Sequence, residues 1–129
     1  ELGLVRAIRQ QALALRTPEG TPLLLTAQAP PTLPPLTAAV EVAAYRIVVE
    51  ALTNAARHSG SDTVTAALSA DAGALTIEVH DRGAKRQGRW KAGVGMSSMR
   101  ERAAEIGGSI EVGPGDTGGR VRARLPLSV

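Results

Sequence analysis

The most informative stretch of this 129-residue chain runs from Tyr45 to His58 and reads YRIVVEALTNAARH. It belongs to a long predicted helix that begins after an N-cap at Thr37 and ends at Ser59-Gly60. At about 100° per residue, the apolar side chains of this helix share one arc. That arc contains Val40, Ala44, Val48, Ala51, Leu52 and Ala55. The pattern predicts a helix packed on a core, with an adjoining edge of polar side chains.

The polar edge carries Glu50, Asn54, Arg57 and His58, at spacings i, i+4, i+7 and i+8. Carboxylate and amide oxygens suit Mg²⁺, which accepts one or two protein ligands and fills its other positions with phosphate and water. Arg57 and His58 lie where they would meet phosphates. The alternative is a solvated helix edge on which Glu50 pairs with Arg57.

Alternating apolar residues elsewhere predict strands with one buried face. The inward positions are Val64, Ala66 and Leu68, then Leu75, Ile77 and Val79, and finally Val121, Ala123 and Leu125. Asp71-Ala72-Gly73 favours a hairpin between the first two strands. Further strands are predicted over Leu23–Ala27 and Ile110–Val112, and the prolines of Ala29–Pro35 indicate a linker.

Two more helices complete the predicted elements. One covers Glu1–Arg16, and the other opens with a capping box at Ser98 and ends at Gly107-Gly108. One apolar face per strand, together with amphipathic helices, implies a two-layer α/β sandwich. The length indicates one domain over residues 1–129.

A second polar feature is Asp81, which follows a buried strand and precedes Gly83. A carboxylate in this position can accept a hydrogen bond from an exocyclic amine such as that of adenine. The glycine permits close approach of a ligand or of backbone. The alternative is an ordinary Asp-x-Gly turn at the end of a strand.

A third feature is Gly93-Val94-Gly95-Met96, which leads into the helix opened at Ser97 or Ser98. Glycines before a helix N-terminus favour phosphate binding, because free N–H groups and the helix dipole attract an anion. The spacing matches neither the dinucleotide fingerprint nor the P-loop. An ordinary surface loop is the alternative.

Composition narrows the remaining classes of function. The chain has no cysteine, which excludes disulfides and thiolate metal sites. No apolar run approaches the roughly 20 residues that span a bilayer. The net charge of +3 and the row Arg120, Arg122 and Arg124 leave a basic nucleic-acid-binding module open. A 2% aromatic content argues against stacking on single-stranded bases.

The three features, in this order, resemble the nucleotide boxes of the histidine-kinase ATPase family, in the subfamily similar to nitrate and lipid-fluidity sensor kinases. Residues 45–58 resemble the N box, residues 81–83 the first glycine box and residues 93–96 the second. Met99–Arg102 resembles the helix that follows. The resemblance covers essentially the whole chain and implies the Bergerat ATPase fold, a mixed, largely antiparallel sheet with three helices on one face.

The resemblance also implies roles in binding ATP and Mg²⁺. Asn54 would hold Mg²⁺ against the triphosphate, and Glu50 would act on a metal-bound water or as a general base. Arg57 and His58 would lie beside the phosphates. Asp81 would accept the adenine amine, and Gly83 would give the base room. Gly93 and Gly95 would hinge a lid over the nucleotide, and Met96, the last residue of the second glycine box, would also belong to the nucleotide-binding set.

The implied reaction transfers the γ-phosphoryl group to a histidine of a separate helical dimerisation domain of the same kinase, in cis or in trans. A response regulator would be reached through that domain. Neither His58 nor His80 is placed as the acceptor, so we expect this chain to be a catalytic piece that binds ATP without phosphorylating itself. We expect it to be monomeric and cytoplasmic, without nucleic-acid or membrane contacts, and leave a membrane anchor open for the full-length protein.

Two departures from the family pattern keep other functions open. Lys85 stands where a second glycine is common, and Arg120 follows Gly118-Gly119 where a threonine is frequent. The predicted lid, residues 84–92, is also short. A degenerate nucleotide-binding module and a serine kinase of the anti-sigma-factor type are therefore the alternatives within this fold.

Overall fold

A computed structural model describes residues 2–83, 96–115 and 118–127 of the chain. Within these ranges it contains three helices and five strands. In chain order they are α1 (Leu2–Ala12), β1 (Leu24–Gln28), α2 (Ala38–His58), β2 (Thr63–Asp71), β3 (Ala74–Asp81), α3 (Met96–Glu105), β4 (Ser109–Pro114) and β5 (Gly119–Pro126). The strands form one sheet in the order β1-β2-β3-β5-β4.

The sheet is mixed, as the family resemblance implies. β1 runs parallel to β2, and the other three pairings are antiparallel. The turn between β2 and β3 consists of Ala72 and Gly73, with φ angles of 45° and 81°. A two-residue turn with two positive φ angles matches the right-handed twist of a hairpin. This confirms the hairpin predicted at Asp71-Ala72-Gly73.

All three helices pack against one face of the sheet, with α2 in the centre. The core between the two layers is aliphatic, and its central α2 residues Ile47, Val48 and Leu52 have no exposed surface. The predicted inward positions of β2 and β3 are buried, as are Ala123 and Leu125 of β5. The predicted two-layer α/β sandwich is confirmed.

The ends of α2 agree with the sequence prediction. The Thr37 side chain accepts a hydrogen bond from the Val40 amide at 3.4 Å, which satisfies one of the free donors of the first turn. Ser59 is the C-cap, its amide donates to the Ala55 carbonyl at 3.1 Å, and Gly60 follows with a φ of 79°. The caps therefore bound a helix of 21 residues.

Two other helix boundaries differ from the prediction. α1 ends at Ala12 rather than Arg16, because residues 13–14 form a turn instead of a further helical turn. α3 begins at Met96, so Ser98 lies inside the helix and the predicted capping box is wrong. The glycine stop is confirmed: the Gly107 amide donates to Ala104, and the Gly108 amide donates to Ala103 at 2.7 Å.

The opposite face of the sheet is not covered by any of the described helices, and we call it the open face. It carries the predicted arginine row Arg120, Arg122 and Arg124, which is in register with His80, Glu78 and Thr76 of β3. Among the described residues, no helix is both long and apolar enough to span a membrane.

Candidate functional site

Asp81 lies at the end of β3, at one edge of the helical layer, and is half-buried. Its Oδ1 accepts hydrogen bonds from the amides of Gly83, at 2.9 Å, and Gly119, at 2.8 Å. Hydrogen bonds between backbone N–H groups and an ionised carboxylate are stronger than neutral ones. The adjoining segment and a segment 38 residues away from Asp81 therefore hold this carboxylate in one orientation.

Two glycines permit this arrangement. A Cβ atom on Gly83 would come within 2.8 Å of the Ser59 carbonyl carbon, so β3 is followed by backbone that passes directly against the C-cap of α2. A Cβ on Gly118 would lie 2.5 Å from the Gly83 nitrogen and 2.7 Å from the Asp81 carbonyl oxygen. The close approach predicted at Gly83 is thus a backbone contact, and its role of giving a base room stays a prediction.

The polar edge of α2 leads to the same place. Glu50 and Asn54 are half-buried, whereas Arg57 and His58 are exposed in the last turn. In the described part of the chain no ion pair joins Glu50 to Arg57, so the pairing offered as the alternative for this edge is not formed. The next residue, Ser59, is the one that contacts Gly83, and the structure therefore brings the end of the polar edge beside the Asp81 segment.

A groove of about 830 Å³ runs over α2 between α1 and α3. Its lining includes Glu50 and Thr53 of α2 and Arg102 of α3. Leu4 and Val42 contribute apolar walls. The carboxylate of Glu50 is thus accessible from a cavity of the size that small ligands occupy.

The donor set of the polar edge fits a magnesium ion that is held mainly by other ligands. No group of three or more histidine, cysteine, aspartate or glutamate side chains that could hold a metal occurs among the described residues. Glu50 and Asn54 supply one carboxylate and one amide oxygen. Mg²⁺ commonly takes one or two protein oxygens and completes its shell with phosphate and water. The residues present are compatible with Mg²⁺ bound together with a polyphosphate.

An ionic cluster lies on the open face, directly behind Asp81. Oε1 of Glu78 lies 2.8 Å from Nε2 of His80 and 4.0 Å from Nε of Arg120, while Oε2 lies 3.5 Å from Nε of Arg122. We call these four residues the open-face cluster. The hydrogen bond from His80 and the charges of Arg120, His80 and Arg122 hold the pKa of Glu78 below its ordinary value, against the opposing effect of burial.

Arg120, one of the two departures from the family pattern, lies on the open face of the sheet. The side chain of Arg120 lies on the open face beside Glu78, whereas Asp81 points to the helical layer. Because side chains alternate along a strand, position 120 cannot reach Asp81. The β5 group that contacts Asp81 is the amide of Gly119. Arg120 therefore belongs to the open face, as the predicted arginine row implies.

Several predicted residues lie at or beyond the limits of the description. Gly93, Gly95 and Lys85, with the rest of the predicted lid, are outside the described residues. Met96 is the first residue of α3. The roles assigned to all of them stay predictions.

Three residues of the site were not among those predicted from the sequence. Gly118 and Gly119 contact Asp81 through their backbone, and the backbone of Ser59 lies directly against Gly83. A Gly-Gly pair at the start of a strand signals close backbone approach, but it does not say which distant segment approaches.

The chain is similar in sequence to proteins of a known family. The family described as "Histidine kinase-, DNA gyrase B-, and HSP90-like ATPase" matches residues 39–129. The chain is 29% identical to the sensor histidine kinase MctS of Rhizobium johnstonii, over 99% of this chain and 28% of that protein. It is 33% identical to the sensor histidine kinase YhcY of Bacillus subtilis, over 98% of this chain and 33% of that protein. The chain thus spans no more than a third of either relative.

Solved structures share the fold. The histidine kinase domain of the blue-light activated histidine kinase EL346 of Erythrobacter litoralis superposes with a TM-score of 0.64 at 22% identity, covering 96% of this chain and 57% of that one. A second structure of that kinase gives a TM-score of 0.66 at 25% identity, covering 96% of this chain and 40% of that one. The likeness extends over nearly all of the described elements.

Proposed function

The chain belongs to the histidine kinase-, DNA gyrase B- and HSP90-like ATPase family, and from that premise we propose that it binds ATP with Mg²⁺ and donates the γ-phosphoryl group to a histidine of another domain in two-component signalling. The main support is the placement of Asp81. Two backbone amides orient its carboxylate at the point where the polar edge of α2 ends. The fixed Asp81 carboxylate can accept a hydrogen bond from an amine, and the oxygens of Glu50 and Asn54 nearby can bind a metal ion. This pairing suits a ligand with an amine at one end and metal-bound phosphates at the other.

The five predicted site residues that the structure describes as side chains divide the binding of the nucleotide and the metal between them. Asp81 accepts a hydrogen bond from the adenine amine, which orients the base. Asn54 would hold Mg²⁺, and Glu50 would act on a metal-bound water or as a general base. The metal, when bound, neutralises charge on the phosphate oxygens. Arg57 and His58, exposed in the last turn of α2, bind phosphate oxygens.

The transfer itself depends mainly on position and charge. The imidazole nitrogen of the acceptor forms a bond to the γ-phosphorus while the bond from that phosphorus to the bridging oxygen breaks, and ADP leaves. The proton of the imidazole passes to a base, and Glu50 is the candidate because it lines the groove over α2. The acceptor approaches through that groove.

The acceptor belongs to a helical domain of the same protein, in cis or in trans. His58 is part of the nucleotide edge, and His80 is bonded to Glu78 on the open face, so neither is placed for the reaction. The names of the relatives, sensor histidine kinases, support a longer protein that passes the phosphoryl group to a response regulator. The present chain is its cytoplasmic, monomeric ATP-binding part; a dimer in sedimentation experiments at every concentration would contradict this assignment.

Incubation of the longer protein with Mg²⁺ and ATP labelled in the γ-phosphoryl group tests the reaction. We expect protein-bound label that is lost in acid and kept in alkali, as for a P–N bond. Asn54→Asp should prevent labelling, and Arg124→Ala, on the open face away from the site, should not. Label that survives acid would indicate a phosphoester and favour the serine-kinase alternative.

A further inference from the structure

The open-face cluster lies at the two strand ends that hold Asp81. His80 immediately precedes Asp81 in β3, and Arg120 immediately follows Gly119 in β5. These two neighbours are partners in the register, so the cluster joins β3 to β5 one residue away from the Asp81–Gly119 hydrogen bond. The ionic contacts and the adenine-binding candidate are on opposite faces of the same two strand ends.

Glu78 is the central residue of this cluster. Its two carboxylate oxygens contact His80 on the same strand and both Arg120 and Arg122 on the neighbouring strand. Its side chain is 32% exposed, so the contacts are partly shielded from water. One carboxylate thus cross-links β3 and β5 next to the position where β5 must stay close for Gly119 to reach Asp81.

The β4–β5 hairpin lies directly beyond this point, with Gly119 paired with Pro114 and Arg120 paired with Gly113. The Gly115 amide donates to the Gly118 carbonyl at 2.5 Å, and a Cβ on Gly115 would lie 3.1 Å from the Cβ of Arg120 and 3.6 Å from Nδ1 of His80. The cluster therefore packs directly under the β4–β5 hairpin. The backbone pairing of β3 with β5 extends no further than His80 and Arg120.

From this juxtaposition we propose that Glu78 is a positioning residue for nucleotide recognition. It acts from the open face by keeping Gly119 in place to orient the Asp81 carboxylate. The proposal rests on the proposed function, because it assumes that Asp81 reads the 6-amino group of adenine. It assigns Glu78, His80 and Arg120 a task in base selectivity although none of them faces the nucleotide.

The ratio of ATP to ITP affinity tests this task, because hypoxanthine carries a carbonyl oxygen where adenine carries the amine. We expect Glu78→Ala in the 129-residue chain to weaken ATP binding about ten-fold and to change ITP binding less than about two-fold, since only ATP loses a charge-assisted hydrogen bond. Glu78→Gln, which keeps the length and loses the charge, should lie between wild type and Glu78→Ala. Arg124→Ala is the matched control, because Arg124 is on the same face of β5 but pairs with Asp71 at 3.8 Å.

Amide hydrogen exchange of Gly119, measured by NMR without nucleotide, is an independent readout. Protection of this amide should fall about ten-fold in Glu78→Ala and stay unchanged in Arg124→Ala, while amides of the β2–β3 ladder keep their protection in both.

Unchanged Gly119 exchange and an unchanged ATP-to-ITP ratio in Glu78→Ala would overturn the positioning role. If wild type binds ATP and Asp81→Asn leaves the ATP-to-ITP ratio unaltered, the assignment of Asp81 fails instead; if wild type binds no ATP, the proposed function itself fails.

Discussion

Gly83→Ala should disrupt the junction between α2 and the Asp81 segment. The added Cβ would come within 2.8 Å of the Ser59 carbonyl carbon and 3.1 Å of its Cα. These are backbone atoms of a helix C-cap, so no side-chain rotation relieves the overlap. Either the end of α2 or the end of β3 must move.

The magnitude follows from two effects. Steric overlap in a packed site costs about 1–3 kcal/mol. Displacement of the Gly83 amide from Asp81 removes a hydrogen bond to a charged group, which contributes about 1.5–3 kcal/mol when it is intact. Since the two effects relieve each other in part, we expect a loss of about 2–3 kcal/mol in the free energy of unfolding.

Urea unfolding followed by far-ultraviolet circular dichroism measures this loss. With an m value of about 1.5 kcal/mol per molar, the midpoint should fall by at least about 1.3 M. Gly113→Ala is the control, because Gly113 lies in β4 with no atom within 4 Å of the added Cβ. It should change stability by less than about 0.5 kcal/mol. Equal midpoints for the two variants would refute the close contact between Gly83 and Ser59.

Three further predictions concern the turn, the core and the open face. Ala72→Gly should stabilise the chain by about 1 kcal/mol and raise its melting temperature, because Ala72 has a φ of 45° that glycine adopts without strain. Leu52→Ala should lower the free energy of unfolding in urea by about 2–5 kcal/mol, because Leu52 has no exposed surface and its truncation leaves a cavity. Since folding lowers the pKa of Glu78, the ionised side chain stabilises the fold above the pKa it has in the unfolded chain, and that contribution disappears as the pH falls through the lowered pKa. The stability difference between wild type and Glu78→Gln, measured by urea unfolding from neutral to acidic pH, should therefore shrink towards acid; a difference that stays constant would contradict the ionic role of Glu78.

The fold could be predicted largely from local sequence patterns. The apolar arc of α2, its caps and the alternating strands around Ala72-Gly73 each specify one element, and the burial of their inward positions agrees. Helix ends were less predictable. Ser98 satisfies the capping-box pattern, yet α3 starts earlier, at Met96, because a helix terminus also depends on contacts that a four-residue pattern does not contain.

The side chains of the candidate site could be proposed from the sequence, whereas its backbone contacts could not. Glu50, Asn54 and Asp81 stand out because polar groups at the edge of an apolar pattern need an explanation. Gly119 gives no such signal, since its contribution is an amide that reaches Asp81 across 38 positions of sequence.

Calorimetric titration of the 129-residue chain with ATP, in the presence and absence of Mg²⁺, tests the central claim most directly. We predict saturable binding that strengthens with Mg²⁺ and is lost in Asp81→Asn, while Asn54→Asp reduces the effect of the metal. An Arg124→Ala variant should bind as wild type does. Equal ATP affinity in wild type and Asp81→Asn, or no binding of ATP by wild type up to millimolar concentration, would contradict the assignment of this edge of the sandwich as the nucleotide site.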